Sequence, residues 1–183
     1  MLFRSRYVQG TATGGVRSSG GAGSDGGGAP GSASAEEQST GITIQGLPIV
    51  KPPYGSISAI DLDKGEILWQ IAHGETPDNI KNHPLLKGVN IPRTGRNGII
   101  GTLVTGSLVI AGESGTYNLP QGRGAMLRAY DKKTGKEVGA VYMPGPQTGS
   151  PMTYQLNGEQ YIVVATGGAD HPAEFVAYKL PKN

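Results

Sequence analysis

Ser58-Ala59-Ile60-Asp61-Leu62-Asp63-Lys64-Gly65-Glu66-Ile67-Leu68-Trp69 decides the fold, because the chain writes it a second time. Seventy residues on (129 − 59), Arg128-Ala129-Tyr130-Asp131-Lys132-Lys133-Thr134-Gly135-Lys136-Glu137-Val138-Gly139 returns Ala, Asp and Gly at the same offsets. A third, partial copy, Val176-Ala177-Tyr178-Lys179-Leu180, repeats the first strand. The unit is a strand, an Asp-initiated turn closed by Gly, and a second strand. Gly supplies the positive φ that a tight hairpin needs. Hairpins recurring at such a period read as successive blades of a β-propeller. The spacing is long for one blade, and the excess lies in residues 74–98, a Pro- and Asn-rich insertion expected to form loops on one face.

Outward from the repeat, short apolar runs bounded by Gly, Pro, Asn and Asp predict strands over 56–62, 66–72, 101–105, 108–112, 125–131, 137–142, 151–156, 160–166 and 175–180. Asn157-Gly158 supplies a further hairpin turn. Only residues 78–87 suit a short helix, with Pro77 to start it and Gly88 to stop it. The fold class is all-β, with antiparallel strands. Composition agrees. Thirty-one glycines and thirteen prolines in 183 residues are about twice the usual share, and both residues are penalised inside helices.

Before Ile42 the texture differs. Residues 1–41 are dominated by Gly, Ser and Ala, as in Ser18-Ser19-Gly20-Gly21-Ala22-Gly23-Ser24-Asp25-Gly26-Gly27-Gly28. Such a stretch cannot bury enough surface to offset its ordering entropy, so it is expected to be flexible. It lacks the GxxxxGK[ST] of a phosphate loop. The opening Met1-Leu2-Phe3-Arg4-Ser5-Arg6 reverses the charged-then-apolar order of a signal peptide; its first residues are expected to be an artefactual addition to a chain that starts inside a longer protein. Formal net charge is +2, with Lys and Arg scattered, which excludes a nucleic-acid stripe. No apolar run is long enough to span a membrane. Cysteine is absent, which excludes disulfides, thiolate metal sites and a Cys nucleophile.

Ala-x-Asp-x-x-x-Gly-x-x-x-Trp, here Ala59, Asp61, Gly65 and Trp69, resembles the tryptophan docking motif of the pyrroloquinoline quinone (PQQ) dehydrogenases, which are eight-bladed propellers. Ala129, Asp131 and Gly135 carry the second copy, where Gly139 replaces the tryptophan. The segments Leu47-Pro48-Ile49-Val50-Lys51-Pro52-Pro53-Tyr54-Gly55, Leu108-Val109-Ile110-Ala111-Gly112-Glu113, Ser150-Pro151-Met152-Thr153-Tyr154 and Ala165-Thr166-Gly167-Gly168 are similar, in this order, to the C-terminal end of that family, above all to its glucose dehydrogenases. The resemblance implies that residues 42–183 are C-terminal blades of a longer, periplasmic enzyme. That enzyme would oxidise a sugar or alcohol with PQQ and Ca²⁺ and pass electrons to ubiquinone or a cytochrome. It also implies that the catalytic Asp and the calcium ligands lie upstream of this chain, and that the indole of Trp69 stacks between neighbouring blades. About two and a half blades cannot enclose a central cofactor, so the chain alone is expected to be inactive.

Several residues carry candidate chemistry. Family glucose dehydrogenases commonly have His directly after the terminal Gly-Gly; here the order is Gly167-Gly168-Ala169-Asp170-His171, two positions displaced. Asp170 and His171 are therefore candidates to face cofactor or substrate, with a surface His-Pro turn as the alternative. Arg96, like Arg93, could grip a carboxylate bidentately, and PQQ bears three; an inter-blade salt bridge is the competing role. His73, His83, Glu75 and Asp78 could be drawn as a metal cluster, but no spacing matches a zinc signature, and solvated loop positions are the expectation. Glu113 reads as a strand-end charge or a site acid. Trp69 reads as packing. The competing class is a non-catalytic propeller serving as a protein-interaction platform, of the outer-membrane assembly-factor type, which shares the docking motif.

Overall fold

The computed structural model describes residues 42–168 and 171–180. The expected flexible segment 1–41 and Asp170 lie outside them. The chain runs through β1 (Thr43–Ile44), β2 (Leu47–Pro48), β3 (Ser56–Asp61), β4 (Glu66–Ala72), α1 (Asp78–Lys81), a 3₁₀ turn (Pro84–Leu86), β5 (Leu103–Val104), β6 (Leu108–Gly112), β7 (Tyr117–Leu119), β8 (Gly122–Asp131), β9 (Glu137–Met143), β10 (Met152–Leu156), β11 (Glu159–Gly168) and β12 (His171–Lys179). All these strands pair antiparallel. Besides the small β1–β2 ribbon there are three sheets: β3–β4; β5–β6–β8–β9, with β7 on the leading residues of β8; and β10–β11–β12. The first and third sheets join sequence neighbours. In the second, β6 pairs with β8 and the intervening β7 folds back as a side hairpin on the leading residues of β8, so each sheet remains an antiparallel blade-like unit.

The repeat seen in the sequence is repeated in space. Ala59 pairs with Trp69 and Ala129 with Gly139, and a bulge follows each alanine, before Ile60 and before Tyr130. Asp61 Oδ1 accepts from the amides of Asp63 and Lys64 at 3.0 and 3.2 Å. Asp131 Oδ1 accepts from Lys133 and Thr134 at 3.1 and 2.9 Å, and from the Thr134 hydroxyl at 2.9 Å. The Thr134 bonds, foremost the hydroxyl's, hold the Asp131 carboxyl below its ordinary value. Gly65 and Gly135 close the two turns, both at φ +70. Their amides bond back to the Asp61 and Asp131 carbonyls at 2.7 and 2.9 Å. The Asp therefore satisfies the turn amides, and the Gly reverses the chain.

Two expectations shift. The helix expected over 78–87 is divided, because His83 precedes Pro84 and takes an extended backbone (φ −67, ψ 131); the residue before proline avoids the helical region. β7 was not expected from the sequence. Its hairpin with β8 turns through Pro120 and Gln121, with Leu119 facing Gly122.

The two seams between the three sheets differ in chemistry. Between the second and third lies the apolar core, built from Ile110, Ala125, Leu127, Met143, Ile162 and Val164, with Tyr178 packed against it. The Tyr178 hydroxyl also donates to the Tyr142 carbonyl at 2.7 Å. The seam between the first and second sheets is largely polar, with Trp69 and Ile71 lying against Gly135. The Trp69 indole N–H donates to the Lys132 carbonyl at 3.0 Å, and a Cβ on Gly135 would stand 2.8 Å from its ring. Gly135 is thus required twice, by its backbone angle and by the indole that lies on it.

The connections also divide by end. At one end are tight turns: Leu62–Gly65, residues 105–107, residues 132–136 and Asn157-Gly158. At the other end the chain makes its long connections. Tyr54 N bonds Thr94 O, His73 N bonds Gly55 O, Arg96 N bonds His73 O, Gln147 N bonds Glu113 O, and Gly167 N bonds Pro146 O. Long loops held on a rigid scaffold are where function concentrates.

Candidate functional site

Arg128 organises the interior of this region. It stands in β8 between Leu127 and Ala129 and is only 4% exposed. A guanidinium so placed must be paired to be tolerated. Its Nε donates to Glu113 Oε1 at 2.6 Å. Its Nη2 donates to Glu75 Oε1 at 2.9 Å and to the Tyr117 hydroxyl at 3.2 Å. Its Nη1 donates to Glu137 at 3.1 Å. Arg93 completes the array, with Nε 3.5 Å from Glu75 and Nη1 on Glu137. Two guanidinium groups thus share three carboxylates drawn from the insertion, the loop after β6, and β9. Breaking a buried pair from one side is far more costly than its net worth; the array therefore fixes where the loops sit.

The electrostatics follow from that burial. Glu113 is 1% exposed, and its desolvation raises the carboxyl above its ordinary value against the pull of Arg128. Burial also opposes the Arg128 charge, but Glu113 beside it more than compensates, and the guanidinium stays protonated throughout. Burial opposes ionisation of Glu137 as well; there the Arg93 hydrogen bond and the Arg128 charge win, and its carboxyl lies below the usual range. Tyr117 and Tyr130 are pushed upward by burial and remain neutral phenols.

His73 is a correction to the sequence reading. It is not a solvated loop residue but is 6% exposed. Nε2 lies 3.0 Å from the Gly112 carbonyl and Nδ1 lies 2.9 Å from the Tyr130 hydroxyl. A carbonyl can only accept, so the Nε2 proton is donated to it and Nδ1 accepts from the phenol. Burial lowers the pKa of the ring, which is neutral. Glu113, expected as a strand-end charge, is likewise buried and ion-paired. His83 is half-buried and bridges Gln45 O at 2.9 Å. Glu75 belongs to the arginine array. Among the described residues no three His, Asp or Glu converge to hold a metal ion.

The remaining candidates separate. His171 opens β12, with Nε2 2.9 Å from Glu174 Oε1 and its ring against Gly145. Arg93 takes the inter-blade salt bridge that competed with a ligand role. Arg96 does not. Its Nη1 donates to Thr116 O at 3.3 Å, its guanidinium lies 6.0 Å from the centre of the Tyr117 ring, and its Nε is buried without a partner. An anionic group with several carboxylates, as PQQ is, fits such a residue. Arg128, Tyr117 and Gln147 were missed. Gln147 donates to Gly101 O at 2.7 Å and accepts from Gly112 N at 2.6 Å, tying three connections together. Only Arg128 left a sequence signal, a charge inside an apolar strand.

Antiparallel sheets with tight turns at one end and long connections at the other define a blade-built repeat protein. The family described as "Glucose/ethanol/alcohol dehydrogenase, beta-propeller domain" of the PQQ enzymes matches residues 6–162, and the chain belongs to it. It is 38% identical over 148 residues to a probable quinate dehydrogenase (quinone) of Xanthomonas campestris pv. juglandis, covering 74% of this chain and 17% of that protein. It is 31% identical over 146 residues to quinoprotein glucose dehydrogenase A of Acinetobacter calcoaceticus (75% and 17%). The glycerol dehydrogenase large subunit of Gluconobacter thailandicus is 34% identical over 145 residues (74% and 18%). The chain thus spans under a fifth of the length of these relatives. Among solved structures, the quinohemoprotein alcohol dehydrogenase of Comamonas testosteroni aligns with a TM-score of 0.48 at 22% identity, covering 75% of this chain and 19% of that one.

Proposed function

We propose that the chain is a C-terminal set of blades in a PQQ-dependent dehydrogenase that oxidises a hydroxyl group of a sugar, polyol or alcohol. The observation that carries this is the family match over residues 6–162, joined by relatives named for glucose, quinate and glycerol oxidation. PQQ, when bound, supplies a two-electron acceptor, and Ca²⁺ supplies a Lewis acid beside it. The catalytic Asp and the calcium ligands belong to the rest of the protein, as does delivery of electrons to ubiquinone or a cytochrome. The setting we propose is the periplasm.

What this chain contributes is support. The arginine–glutamate array and the Gln147 bonds hold the connections at the loop end in fixed register, and preorganised loops are what orientation-driven catalysis requires. The full-length natural protein, loaded with PQQ and Ca²⁺, is expected to reduce an artificial dye with at least one of glucose, quinate, glycerol or ethanol. Absence of PQQ binding together with absence of turnover on all four would overturn the reading in favour of a non-catalytic platform.

A further inference from the structure

Arg96 is a cation that the fold holds in place and leaves without a carboxylate among the described residues. A guanidinium carries five N–H donors in a rigid fork. Here one group donates to the Thr116 carbonyl at 3.3 Å, while Nε is buried with no partner. The neighbouring arginines show that acids were within the fold's reach. Arg93 and Arg128 take up Glu75, Glu113 and Glu137 between them, and Glu113 keeps a buried Oε2 with no hydrogen-bond partner. Arg96 is not turned to it. The fork is held by its surroundings instead: the Tyr117 ring lies 6.0 Å from it, and a Cβ at Gly115 would overlap the guanidinium. Its backbone is fixed from the other side, where Arg96 N bonds His73 O at 2.9 Å.

We propose that Arg96 is a carboxylate-receiving residue of the loop end, its fork closing on the acid group of a bound small molecule. The inference rests on the PQQ-dehydrogenase reading and adds to it the residue and the ligand chemistry. A buried donor left unsatisfied is unfavourable, and a planar fork matches a carboxylate through two parallel hydrogen bonds. Two sources carry that chemistry at this end: an acid group of the cofactor, and an acid group on a hydroxy-acid substrate.

The test uses the full-length protein with Arg96→Gln, which removes the charge and the fork, and Arg96→Lys, which keeps the charge and loses the fork. PQQ affinity is read on the apo-protein by fluorescence titration, and KM is read for quinate, which bears a carboxylate, and for glycerol, which does not. If the cofactor is the partner, Arg96→Gln weakens PQQ binding by about ten- to a hundredfold and leaves the quinate-to-glycerol KM ratio unchanged. If the substrate is the partner, PQQ affinity holds and the KM for quinate alone rises by that factor. Arg96→Lys recovers only part of either loss, because a point charge does not replace the fork; should Arg96→Gln not fold, this variant carries the test, with the same two readouts moving less. PQQ affinity and KM ratio both within twofold of wild type, in a folded variant, would overturn the proposal. A wild-type protein that binds no PQQ would instead overturn the family-based function.

Discussion

At the scale of the residue, His73 is the position most sensitive to its surroundings. Its ring donates from Nε2 to Gly112 O and accepts at Nδ1 from Tyr130. A second proton on Nδ1 would face a phenol oriented as a donor, in a site where burial already lowers the pKa of the ring. The sign is set by the unfolded chain, which takes up that proton below about pH 6.5. His73 therefore contributes stability above that pH, and the contribution is lost as pH falls from there toward the lowered folded value. Each unit of depression is worth about 1.4 kcal/mol at the acid limit. Thermal unfolding of the full-length protein between pH 7.5 and 5.5 is expected to fall more steeply for wild type than for His73→Gln; parallel curves would show that the proton does not matter there. None of this was legible in the sequence, since the partners lie 39 and 57 positions away. A His beside a Gly-rich insertion reads as loop until the strands that bury it are in place.

At the scale of the element, the hairpins were the most legible part of the chain. Asp61 with Gly65, and Asp131 with Gly135, are local devices, and their effect is decided within five residues. The structure adds a difference between them. Nothing lies within 4 Å of a Cβ placed on Gly65, whereas one on Gly135 would stand 2.8 Å from the Trp69 ring. Gly65→Ala is expected to cost about 1–2 kcal/mol, the left-handed penalty alone. Gly135→Ala adds an overpacking cost of about 1–3 kcal/mol. Equal shifts in unfolding midpoint for the two variants would remove the indole from the account. The less legible elements failed for stated reasons. Pro84 divides a helix that composition allowed, and β7, three residues long, is too short to show the alternation by which a strand is recognised. β12 begins at His171, earlier than the expected 175, because its first residue pairs with Gly168 across a register shift.

At the scale of the whole molecule, the chain presents apolar side chains on both flanks. Ile60, Leu62, Ile67 and Leu68 are more than half exposed on the first hairpin, as are Met152 and Leu156 on β10. Produced by itself, the chain is expected to bind a hydrophobic dye such as ANS, to self-associate, and to show neither PQQ binding nor dye-linked turnover. Clear turnover by the isolated chain with PQQ and Ca²⁺ would show that these sheets suffice. The two seams inside the molecule have a separate consequence, one of solvent. The apolar seam between the second and third sheets should tighten as sulfate is added and loosen on cooling. In the other seam the arginine–glutamate contacts gain nothing from sulfate's exclusion, and ions weaken their partly exposed members, Glu75, Arg93 and Glu137. One molecule thus contains two joints with opposite responses to salt, so the choice of buffer selects which of them opens first.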